Sequence, residues 1–534
     1  MCEITTDNFE DKFPEIKNAL EKSKFISIDL EFSALYPLKN HAPSLFDSPV
    51  ERYSKLRRNI EHVIPIQVGL TAFSFDGDRN SYLGTIFNFY VVPASFPSIQ
   101  KTFMFQSDTI SFLRFYDFDF NKFAYSGVPF INRTQEEDLR KRLKNNDITD
   151  IHSNFKSELE HIHRVEGEQI QNWYSKAKEG DELSIPTIYD KFKNNYEILY
   201  FLHKNYRRRF HDLWTAVENG AFVIRKLPTA EIRKLEITQS IEEELISNLL
   251  GFTKVFRLLT TLGKPIIGHN SVQDILLLIE SFEAPLPHSY RQFKKLTTSL
   301  FPTIFDTKHI AYELKSSVQE DKQWNDKGLE SLFDYFKNGT GRHLAVNSPA
   351  IEVQDDKSFG KYHEAGWDSF CSGYIFIRLA YLNVYRKYPK SKNFVSCELI
   401  AGLSEYKNKV NVIRGSVSYM RLDDADPVSN RPPFLVIESV DNKPVSIPQV
   451  SSILSSFGFV EIRKFPYQRK RALVAVDNFG NARRILNNFK SHDKFHVSQY
   501  STIRHSSLVR SCILGGITMS GVLLIWITHS VMKK

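Results

Sequence analysis

The sequence predicts an α/β fold with several domains, and three features of the chain predict it. Near the amino terminus, apolar and polar residues alternate with the period of a half-buried strand. Near residue 265, a short apolar strand, a glycine-containing turn and an apolar helix follow one another. Beyond residue 430, the patterns of strands and helices come in the order β-α-β-β-α-β, which is typical of a separate α+β domain.

The first strand is expected at Phe25–Phe32 and carries Asp29 and Glu31 on one face. Successive side chains of a strand point to opposite sides, and apolar residues fill the other face. Two neighbouring carboxylates on a buried strand repel each other and lose hydration unless a cation neutralises them. Oxygen ligands on a rigid strand suit Mg²⁺, so the pair indicates a metal site. An edge strand with a solvated acidic face is the alternative.

A third acid, Asp274, belongs to the strand-turn-helix segment 264–282. The helix is expected from Gln273 onward, which puts Asp274 in its first turn, where the helix dipole favours an anion. Taken alone, Asp274 is more simply explained as an ordinary carboxylate at the start of a helix.

The last polar pair is His363 and Asp368. His363 precedes Asp368 by five positions, which is not one helical turn. His363 is therefore expected on the loop that leads into the helix of Asp368. Taken alone, such a histidine is more often a hydrogen-bonded structural residue than a base. Two-metal hydrolysis of a phosphodiester needs about four carboxylates and a base for the attacking water, and the complete set meets that need.

Three motifs in chain order resemble those of the DEDDh exonucleases: Asp29-x-Glu31, Gly-His-Asn-x3-Asp274 and His363-Glu-Ala-Gly-Trp-Asp368. Within that class, nearly the whole chain resembles the poly(A)-specific ribonuclease branch of the CAF1 family, including the phrase Phe-Asp306-Thr-Lys308 and the stretch 44–57. The resemblance is strongest to the membrane-tethered members of that branch, which shorten the 3′ ends of piRNA precursors. It implies a ribonuclease H-like core.

The resemblance also implies how the site works. Two Mg²⁺ ions, which Mn²⁺ can replace, would bind the carboxylates of Asp29, Glu31, Asp274 and Asp368. His363 would take the proton from the attacking water, and a histidine near its ordinary pKa of about 6.5 suits that role. The expected reaction removes nucleotides from the 3′-hydroxyl end of RNA as 5′-mononucleotides.

Two contacts with the substrate are implied outside this set. Phe32 would stack on a base, and Lys308 would contact a phosphate. The alternatives, that Phe32 is a core residue and Lys308 a surface residue without a contact to RNA, explain the sequence equally well.

Length and composition are those of a folded protein with more than one core. The chain has 534 residues, 42% apolar and 25% charged, which suggests about three domains. The net charge of +8 suits a polyanionic partner but is weak support on its own. The four cysteines, Cys2, Cys371, Cys397 and Cys512, have no spacing typical of zinc sites or disulfide frameworks, which fits a reducing compartment.

The chain is expected to divide at changes of pattern. The nuclease domain would consist of residues 1–152 and 246–392, interrupted by a helical, nucleic-acid-binding-like insert at 153–245. An RNA-recognition-like domain would follow at 393–505, and a transmembrane helix at 509–531.

The insert contains Arg207-x3-His211, which superficially matches the Arg-x3-His signature that the poly(A)-specific branch carries in a single-stranded nucleic-acid domain. The spacing would put Arg207 and His211 on one face of a helix. A solvated basic helix explains the pattern equally well.

The RNA-recognition-like domain departs from the usual pattern of its class. Such domains stack bases on aromatic residues of the two central strands, but 435–437 and 472–476 contain none. Its basic character remains, with nine Lys or Arg against three acids from Glu461 to Lys494. Contact with phosphates and contact with a protein are both open.

The carboxyl end contains an uncharged stretch at 511–528, between Arg510 and the pair Lys533 and Lys534. Its eighteen residues span about 27 Å as a helix, which suits a thin membrane. With no signal peptide evident at the amino terminus, a tail anchor is expected, with the catalytic part in the cytosol. The mitochondrial outer membrane is favoured over the endoplasmic reticulum, and a buried core helix is the alternative.

Three functions therefore compete. The first is trimming of small-RNA precursors at a membrane surface, with RNA bearing a free 3′ end as substrate and a Tudor-type or other adaptor as partner. The second is the same chemistry on the poly(A) tails of mRNA. The third is an inactive membrane-bound adaptor, which the intact set of catalytic residues disfavours.

Overall fold

A computed structural model of the protein describes residues 1–148, 150–320, 323–326, 328–344, 347–354, 360–389, 394–429, 431–441, 443–465 and 468–532. The strands are β1 (Cys2–Ile4), β2 (Phe25–Phe32), β3 (Pro65–Asp76), β4 (Ser81–Pro93), β5 (Val128–Phe130), β6 (Glu182–Ile185), β7 (Leu213–Glu218), β8 (Ala221–Lys226), β9 (Ile266–Gly268), β10 (Ile304–Asp306), β11 (Ala350–Val353), β12 (Lys409–Asn411), β13 (Tyr419–Arg421), β14 (Leu435–Ser439), β15 (Val460–Lys464), β16 (Arg471–Val476) and β17 (Phe495–Gln499).

The helices are α1 (Phe9–Lys22), α2 (Pro49–Ile60), α3 (Ser107–Phe115), α4 (Phe120–Ser126), α5 (Arg133–Lys144), α6 (Ser153–Tyr174), α7 (Pro186–Phe192), α8 (Tyr196–Arg209), α9 (Thr229–Thr238), α10 (Ile241–Leu250), α11 (Phe252–Leu262), α12 (Val272–Leu278), α13 (Tyr290–Leu300), α14 (Thr307–Lys315), α15 (Leu329–Lys337), α16 (Ala365–Lys387), α17 (Ser396–Gly402), α18 (Ile447–Leu454), α19 (Phe479–Asn488), α20 (Thr502–His505) and α21 (Ser507–Met532).

The chain divides into two compact units. Unit 1 consists of Met1–Ala42, Tyr53–Asn411 and Tyr419–Asp426. Unit 2 consists of Pro43–Arg52, Val412–Ser418 and Pro427–Lys534. All five residues expected at the active site belong to unit 1. The finer domain boundaries expected from the sequence stay a prediction.

Unit 1 is built around a sheet with the strand order β1-β4-β3-β2-β9-β10, in which β5 and β11 also pair with β4. Strand β2 runs antiparallel to β3 and parallel to β9, and β9 runs parallel to β10. The carboxyl ends of parallel strands meet at one edge of a sheet, so the residues that end or follow β2, β9 and β10 lie close together. The expected α/β class is confirmed for this unit.

Helix α16 packs closely against this sheet. Phe370 of α16 stacks on Phe73 of β3 with ring centroids 5.7 Å apart. Gly69 of β3 permits the close approach, because an added Cβ there would lie 1.8 Å from the carbonyl oxygen of Ala365. A larger residue at this position would displace the start of α16, and with it the acid in the helix's first turn.

The insert contains a sheet that the sequence analysis did not expect. Strands β6, β8 and β7 pair in that order, all antiparallel, beside α6, α7 and α8. Asn219 and Gly220 form the β7–β8 turn with φ angles of 50° and 74°, and Asn-Gly is the favoured dipeptide for a turn that needs two positive φ angles. The helices expected in the insert are present, but its sheet was missed because this hairpin signal was overlooked.

The carboxyl-terminal part of unit 2 has its elements in the predicted order. The strands pair as β15-β16-β14-β17, with α18 and α19 as the two helices. Apolar residues from the helices and from one face of the sheet form a single core that includes Ile437, Val474 and Ile485.

Helix α21 exposes a series of large apolar side chains: Ile513, Leu514, Ile517, Met519, Val522, Leu523, Leu524, Ile525 and Trp526. Over the residues that the structure describes, no single helix has the length and hydropathy needed to cross a membrane. A pair bent by 76°, Thr229–Leu250 and Phe252–Leu262, meets the criteria by length and composition only. The apolar stretch of α21 covers Ser511–Trp526, so the transmembrane helix expected at 509–531 stays a prediction.

Candidate active site

Asp29 and Glu31 lie at the carboxyl end of β2. Both side chains are half-buried, whereas Ile28 and Leu30 on the other face of the strand are buried in the core. The predicted alternation of this strand is confirmed. The pairing with β3 becomes irregular between Glu31 and Phe32, so the strand changes course directly after the second acid.

Asp274 lies in the first turn of α12, as predicted, and is buried beside β2. The backbone N–H of Leu30 donates a hydrogen bond to its Oδ1 atom over 3.1 Å, which ties the helix to the strand of the other two acids. The turn before α12 is held by Asp306 at the end of β10. Its carboxylate accepts hydrogen bonds from the backbone N–H groups of Asn270 and Ser271 at 2.9 and 3.1 Å.

Asp368 lies in the first turn of α16 and is 6% exposed. Two buried amide side chains fix the start of this helix. Gln67 Oε1 accepts a hydrogen bond from the N–H of Ala365 at 2.9 Å, and Asn88 Oδ1 accepts one from the N–H of Gly366 at 3.0 Å. These bonds satisfy N–H groups that the helix leaves free and fix where Asp368 points.

His363 lies on the loop before α16, as predicted. Its backbone is left-handed, with φ of 63°, and its N–H donates a hydrogen bond to Asp368 Oδ2 over 3.0 Å. A nitrogen of its imidazole and carboxylate oxygens of Glu31 and Asp368 all lie within 4.8 Å of one another. The structure therefore brings the histidine to the acids.

Burial is the largest cause that raises the pKa of all four acids, and the charges of neighbouring carboxylates add to the rise. For Asp29 the largest cause is burial, followed by the charges of Asp368, Asp274 and Glu31. Burial, followed by the charges of Asp368 and Asp274, raises the pKa of Glu31 well above its ordinary range. Burial also raises the pKa of Asp274 and of Asp368 to about 7. A bound cation would relieve this repulsion.

The donor set fits a divalent cation. Oδ1 of Asp368 is buried and has no hydrogen-bond partner among the described residues. In the parts of the chain that the structure describes, neither Lys nor Arg forms an ion pair with any of the four acids. Hard oxygen ligands that are uncompensated in this way suit Mg²⁺ or Mn²⁺.

The raised pKa values predict how the metal-free protein responds to pH. Asp274 and Asp368 have a pKa of about 7 when folded, against an ordinary value of 3.8, so folding takes up protons between these values. The free energy of unfolding should therefore fall as the pH rises from about 4 through about 7. Asp29→Asn removes a repelling charge and should raise the melting temperature at pH 8 by at least about 2 °C.

Scanning fluorimetry in EDTA checks this expectation, and comparing the variant with wild type cancels the other titrating groups. Mg²⁺ should stabilise the wild type more at pH 8 than at pH 6. A metal-free Asp29→Asn variant that melts below wild type at pH 8 would contradict the electrostatic account.

The two substrate residues expected from the sequence lie near this edge of the sheet. Phe32 is half-buried directly after the irregularity in β2. Lys308 is half-buried in the first turn of α14, where burial lowers its pKa and the charges of Asp306 and Asp326 raise it. Their contacts with RNA stay predictions.

Sequence reasoning assigned no supporting role to three buried polar residues that hold the site. Gln67, Asn88 and Asp306 are at most 1% exposed and hold the backbone of the segments that carry Asp274 and Asp368. A signal was available, because an amide or acid inside an otherwise apolar strand must find a hydrogen-bond partner. The sequence alone gives no indication of which partner.

The expectation that Arg207 and His211 share a helix face is wrong. Helix α8 ends at Arg209, and Phe210 has an extended backbone. Arg207 lies 3.5 Å over the ring of Trp214 and donates hydrogen bonds to the hydroxyl and carbonyl oxygens of Thr215 at 3.0 and 2.6 Å. These contacts show that the guanidinium of Arg207 packs inside the insert and stabilises its fold.

In unit 2, a segment of the same chain covers one face of the sheet. Leu45 and Phe46 pack against Leu473 and Ala475 of the central strand β16. Glu461 of β15 accepts hydrogen bonds from the Ser44 hydroxyl and the Leu45 N–H at 2.5 and 3.0 Å. This is the face of the sheet opposite the core, so the chain itself covers part of that face.

Comparison with known proteins agrees with the geometry. The model for CAF1 family ribonucleases matches residues 4–376. The pre-piRNA 3'-exonuclease trimmer of Bombyx mori is 34% identical over 537 residues, covering 100% of this chain and 99% of that protein. The poly(A)-specific ribonuclease PNLDC1 of Mus musculus is 27% identical over 525 residues, 96% of each chain. The poly(A)-specific ribonuclease PARN of Xenopus laevis is 26% identical, covering 93% of this chain and 80% of that protein.

The matched region contains all five residues of the site and the strands β2, β3, β9 and β10 that surround it. It covers well over half of the chain, and one relative exceeds 30% identity over the full length. The family expected from the motifs is confirmed. The chain belongs to the CAF1 family of ribonucleases and is a metal-dependent 3′–5′ exoribonuclease.

Proposed function

We propose that the protein trims the 3′ ends of piRNA precursors by two-metal hydrolysis at the surface of an organelle. The meeting of four acids and His363 at one edge of the unit 1 sheet is the observation that carries the chemistry. The substrate is proposed because a relative that matches the full length of this chain is named a pre-piRNA 3'-exonuclease.

In this proposal the carboxylates of Asp29, Glu31, Asp274 and Asp368 hold two Mg²⁺ ions, which Mn²⁺ can replace. When bound, the ions supply a water of lowered pKa and neutralise charge on the leaving oxygen. His363 would accept a proton from the attacking water, because a nitrogen of its imidazole lies near the carboxylate oxygens of Glu31 and Asp368.

The 3′-terminal nucleotide would bind at the end of β2, with Phe32 stacking on its base and Lys308 contacting a phosphate. A closed site for a terminal nucleotide requires a free 3′-hydroxyl. We therefore expect a 3′-phosphate to stop degradation and a terminal 2′-O-methyl group to slow it. Gel analysis of end-labelled RNA checks both, and equal rates on 3′-phosphate RNA would instead indicate an endonuclease.

Helix α21 is proposed as the membrane anchor, with the catalytic unit in the cytosol and the mitochondrial outer membrane as the favoured location. The exposed apolar side chains of Ser511–Trp526 support this proposal, since lipid would cover them. Attachment would bring the enzyme close to substrates that an adaptor, for example of the Tudor type, delivers to the same surface.

The anchor can be tested without touching the active site. Removal of 511–534 should leave metal-dependent hydrolysis of naked RNA unchanged, disperse the protein in cells and weaken processing there. Gly521→Arg should have the same cellular effect, because Arg in the middle of a span costs about 2.5–3.5 kcal/mol on insertion. Carbonate extraction of membranes with fluorescence imaging measures this, and wild-type protein in the soluble fraction would reject the anchor.

The carboxyl-terminal domain of unit 2 is proposed as an RNA-recognition-like domain that does not stack bases on its sheet. The covered sheet face supports this view. Its basic residues leave phosphate contact and protein contact as the two candidate roles, and only phosphate contact would weaken strongly with salt.

Removal of mRNA poly(A) tails is the second candidate, favoured by relatives named poly(A)-specific ribonucleases at 26% and 27% identity. Competition between a poly(A) RNA and a piRNA precursor for the same enzyme distinguishes the two. The third candidate, an inactive adaptor, would be supported only by a purified wild-type protein that degrades neither RNA in Mg²⁺ or Mn²⁺.

A further inference from the structure

Phe112, Phe115 and Tyr116, at the end of α3, form an aromatic cluster beside His363. The ring centroid of Tyr116 lies 4.1 Å from that of His363, and the ring of Phe112 meets the imidazole nearly edge-on at 4.7 Å. The ring centroids of Phe115 and Tyr116 are 5.0 Å apart, and the planes of the two rings are at 85° to each other. The aromatic cluster is therefore a continuous surface that begins at the imidazole.

The orientation of the imidazole depends on these rings. Among the described residues, the ring nitrogens of His363 have no hydrogen-bond partner, and its backbone N–H alone is tied to Asp368. The left-handed φ of 63° is a conformation that a histidine rarely adopts without support. Where a carboxylate would commonly orient a general base, packing against Tyr116 and Phe112 does so here.

The outer part of the aromatic cluster faces solvent. Phe115 is 79% exposed and Phe112 is 42% exposed, which leaves adjacent apolar rings uncovered next to a site that acts on RNA. Exposed aromatic rings bind single-stranded nucleic acid by stacking, and this stacking tolerates any base because every base has a π face. The occupant that fits the outer ring is therefore a base of the RNA.

We propose that the aromatic cluster is an RNA subsite in which Phe115 stacks on a base next to the scissile phosphate and Tyr116 is a positioning residue for His363. The proposal rests on the exoribonuclease function of this site. Because the rings touch one another, a base stacked on Phe115 restrains Tyr116, and Tyr116 restrains the imidazole. Binding of the RNA and the orientation of the His363 imidazole are thereby linked through one set of contacts.

The stacking role is tested with Phe115→Leu, which keeps an apolar side chain but removes the ring. Stacking contributes enough that its loss should raise KM for a single-stranded RNA about fivefold or more, while kcat stays within twofold. Tyr388→Leu is the matched control, because Tyr388 is 61% exposed and follows α16 about 30 Å along the helix from Asp368. The control should leave both constants unchanged.

A binding measurement supplies a second readout. In an Asp368→Asn background, RNA carrying 2-aminopurine at its last or penultimate position should lose fluorescence on binding, and Phe115→Leu should restore it. Quenching that persists in Phe115→Leu, together with an unchanged KM, would overturn the subsite. If wild type itself failed to degrade this RNA, the exoribonuclease function would fall instead, so the two failures are distinguishable.

The positioning role is tested with Tyr116→Leu and Tyr116→Phe. Loss of the ring should lower kcat about 10- to 100-fold with KM within twofold, because small displacements of a reacting group have effects of that order. Tyr116→Phe keeps the ring and should retain kcat. The melting temperature and its rise with Mg²⁺ should match wild type in both variants. Equal kcat in Tyr116→Leu and wild type would overturn the role, as would equal losses in both variants.

Discussion

Asp368→Asn is expected to abolish detectable hydrolysis of RNA while leaving the fold intact. The change replaces one charged ligand oxygen by a neutral amide of the same shape, and hard cations bind amide nitrogen poorly. Oδ2 of Asp368 also accepts a hydrogen bond from the backbone N–H of His363. The substitution therefore alters both the charge of the site and the hydrogen bond that holds the His363 backbone. The release of mononucleotides from a labelled 3′-hydroxyl RNA in Mg²⁺ measures the effect.

The control for this variant is Asp334→Asn, which changes an exposed acid of α15 and should retain full activity. Mg²⁺ should raise the melting temperature of Asp334→Asn as much as that of wild type, and that of Asp368→Asn less. Hydrolysis by Asp368→Asn within a few-fold of wild type would remove Asp368 from the proposed ligand set.

His363→Ala is expected to lower kcat by about 10²–10⁴-fold, which is the range typical for loss of a general base. The side chain is close enough to Glu31 and Asp368 to reach the attacking water. Its loss should leave metal binding intact, because four carboxylates remain. Single-turnover rates at saturating RNA measure the change, and the rise of melting temperature with Mg²⁺ should match wild type.

The control is His343→Ala, which removes an exposed histidine outside the site. This variant should have full activity. Added imidazole should restore part of the rate to His363→Ala but not to Asp368→Asn, because imidazole can replace a missing base but not a missing carboxylate ligand. A His363→Ala variant with wild-type rates would reject the role of base.

The positions of the acids could be predicted from the sequence because each acid belongs to a short segment whose pattern indicates a strand or the start of a helix. The alternation of β2 fixed the face of Asp29 and Glu31, and the strand-turn-helix pattern fixed the first turn that contains Asp274. The loop position of His363 followed from its spacing to Asp368. These are short-range properties of the backbone, which a sequence displays directly.

The surroundings of the site could not be predicted in the same way. Phe112 and Tyr116 are about 250 residues from His363 in the chain. Gln67 is 298 residues from Ala365, whose N–H it accepts at the start of α16. Only the folded sheet brings these residues together. The error at Arg207 has a related cause, because its stacking on Trp214 belongs to the packing of the insert. The missed hairpin at Asn219-Gly220 was, by contrast, readable from the sequence.

The substrate is the central claim, and one measurement tests it most directly. Cells that make piRNAs would carry either wild-type protein or Asp368→Asn at normal levels, and the 3′ ends of small RNAs and the lengths of poly(A) tails would be sequenced from the same samples. We expect piRNA precursors with extended 3′ ends in the Asp368→Asn cells and unchanged poly(A) tails. Unchanged small-RNA ends together with longer poly(A) tails would contradict the proposed function and favour deadenylation.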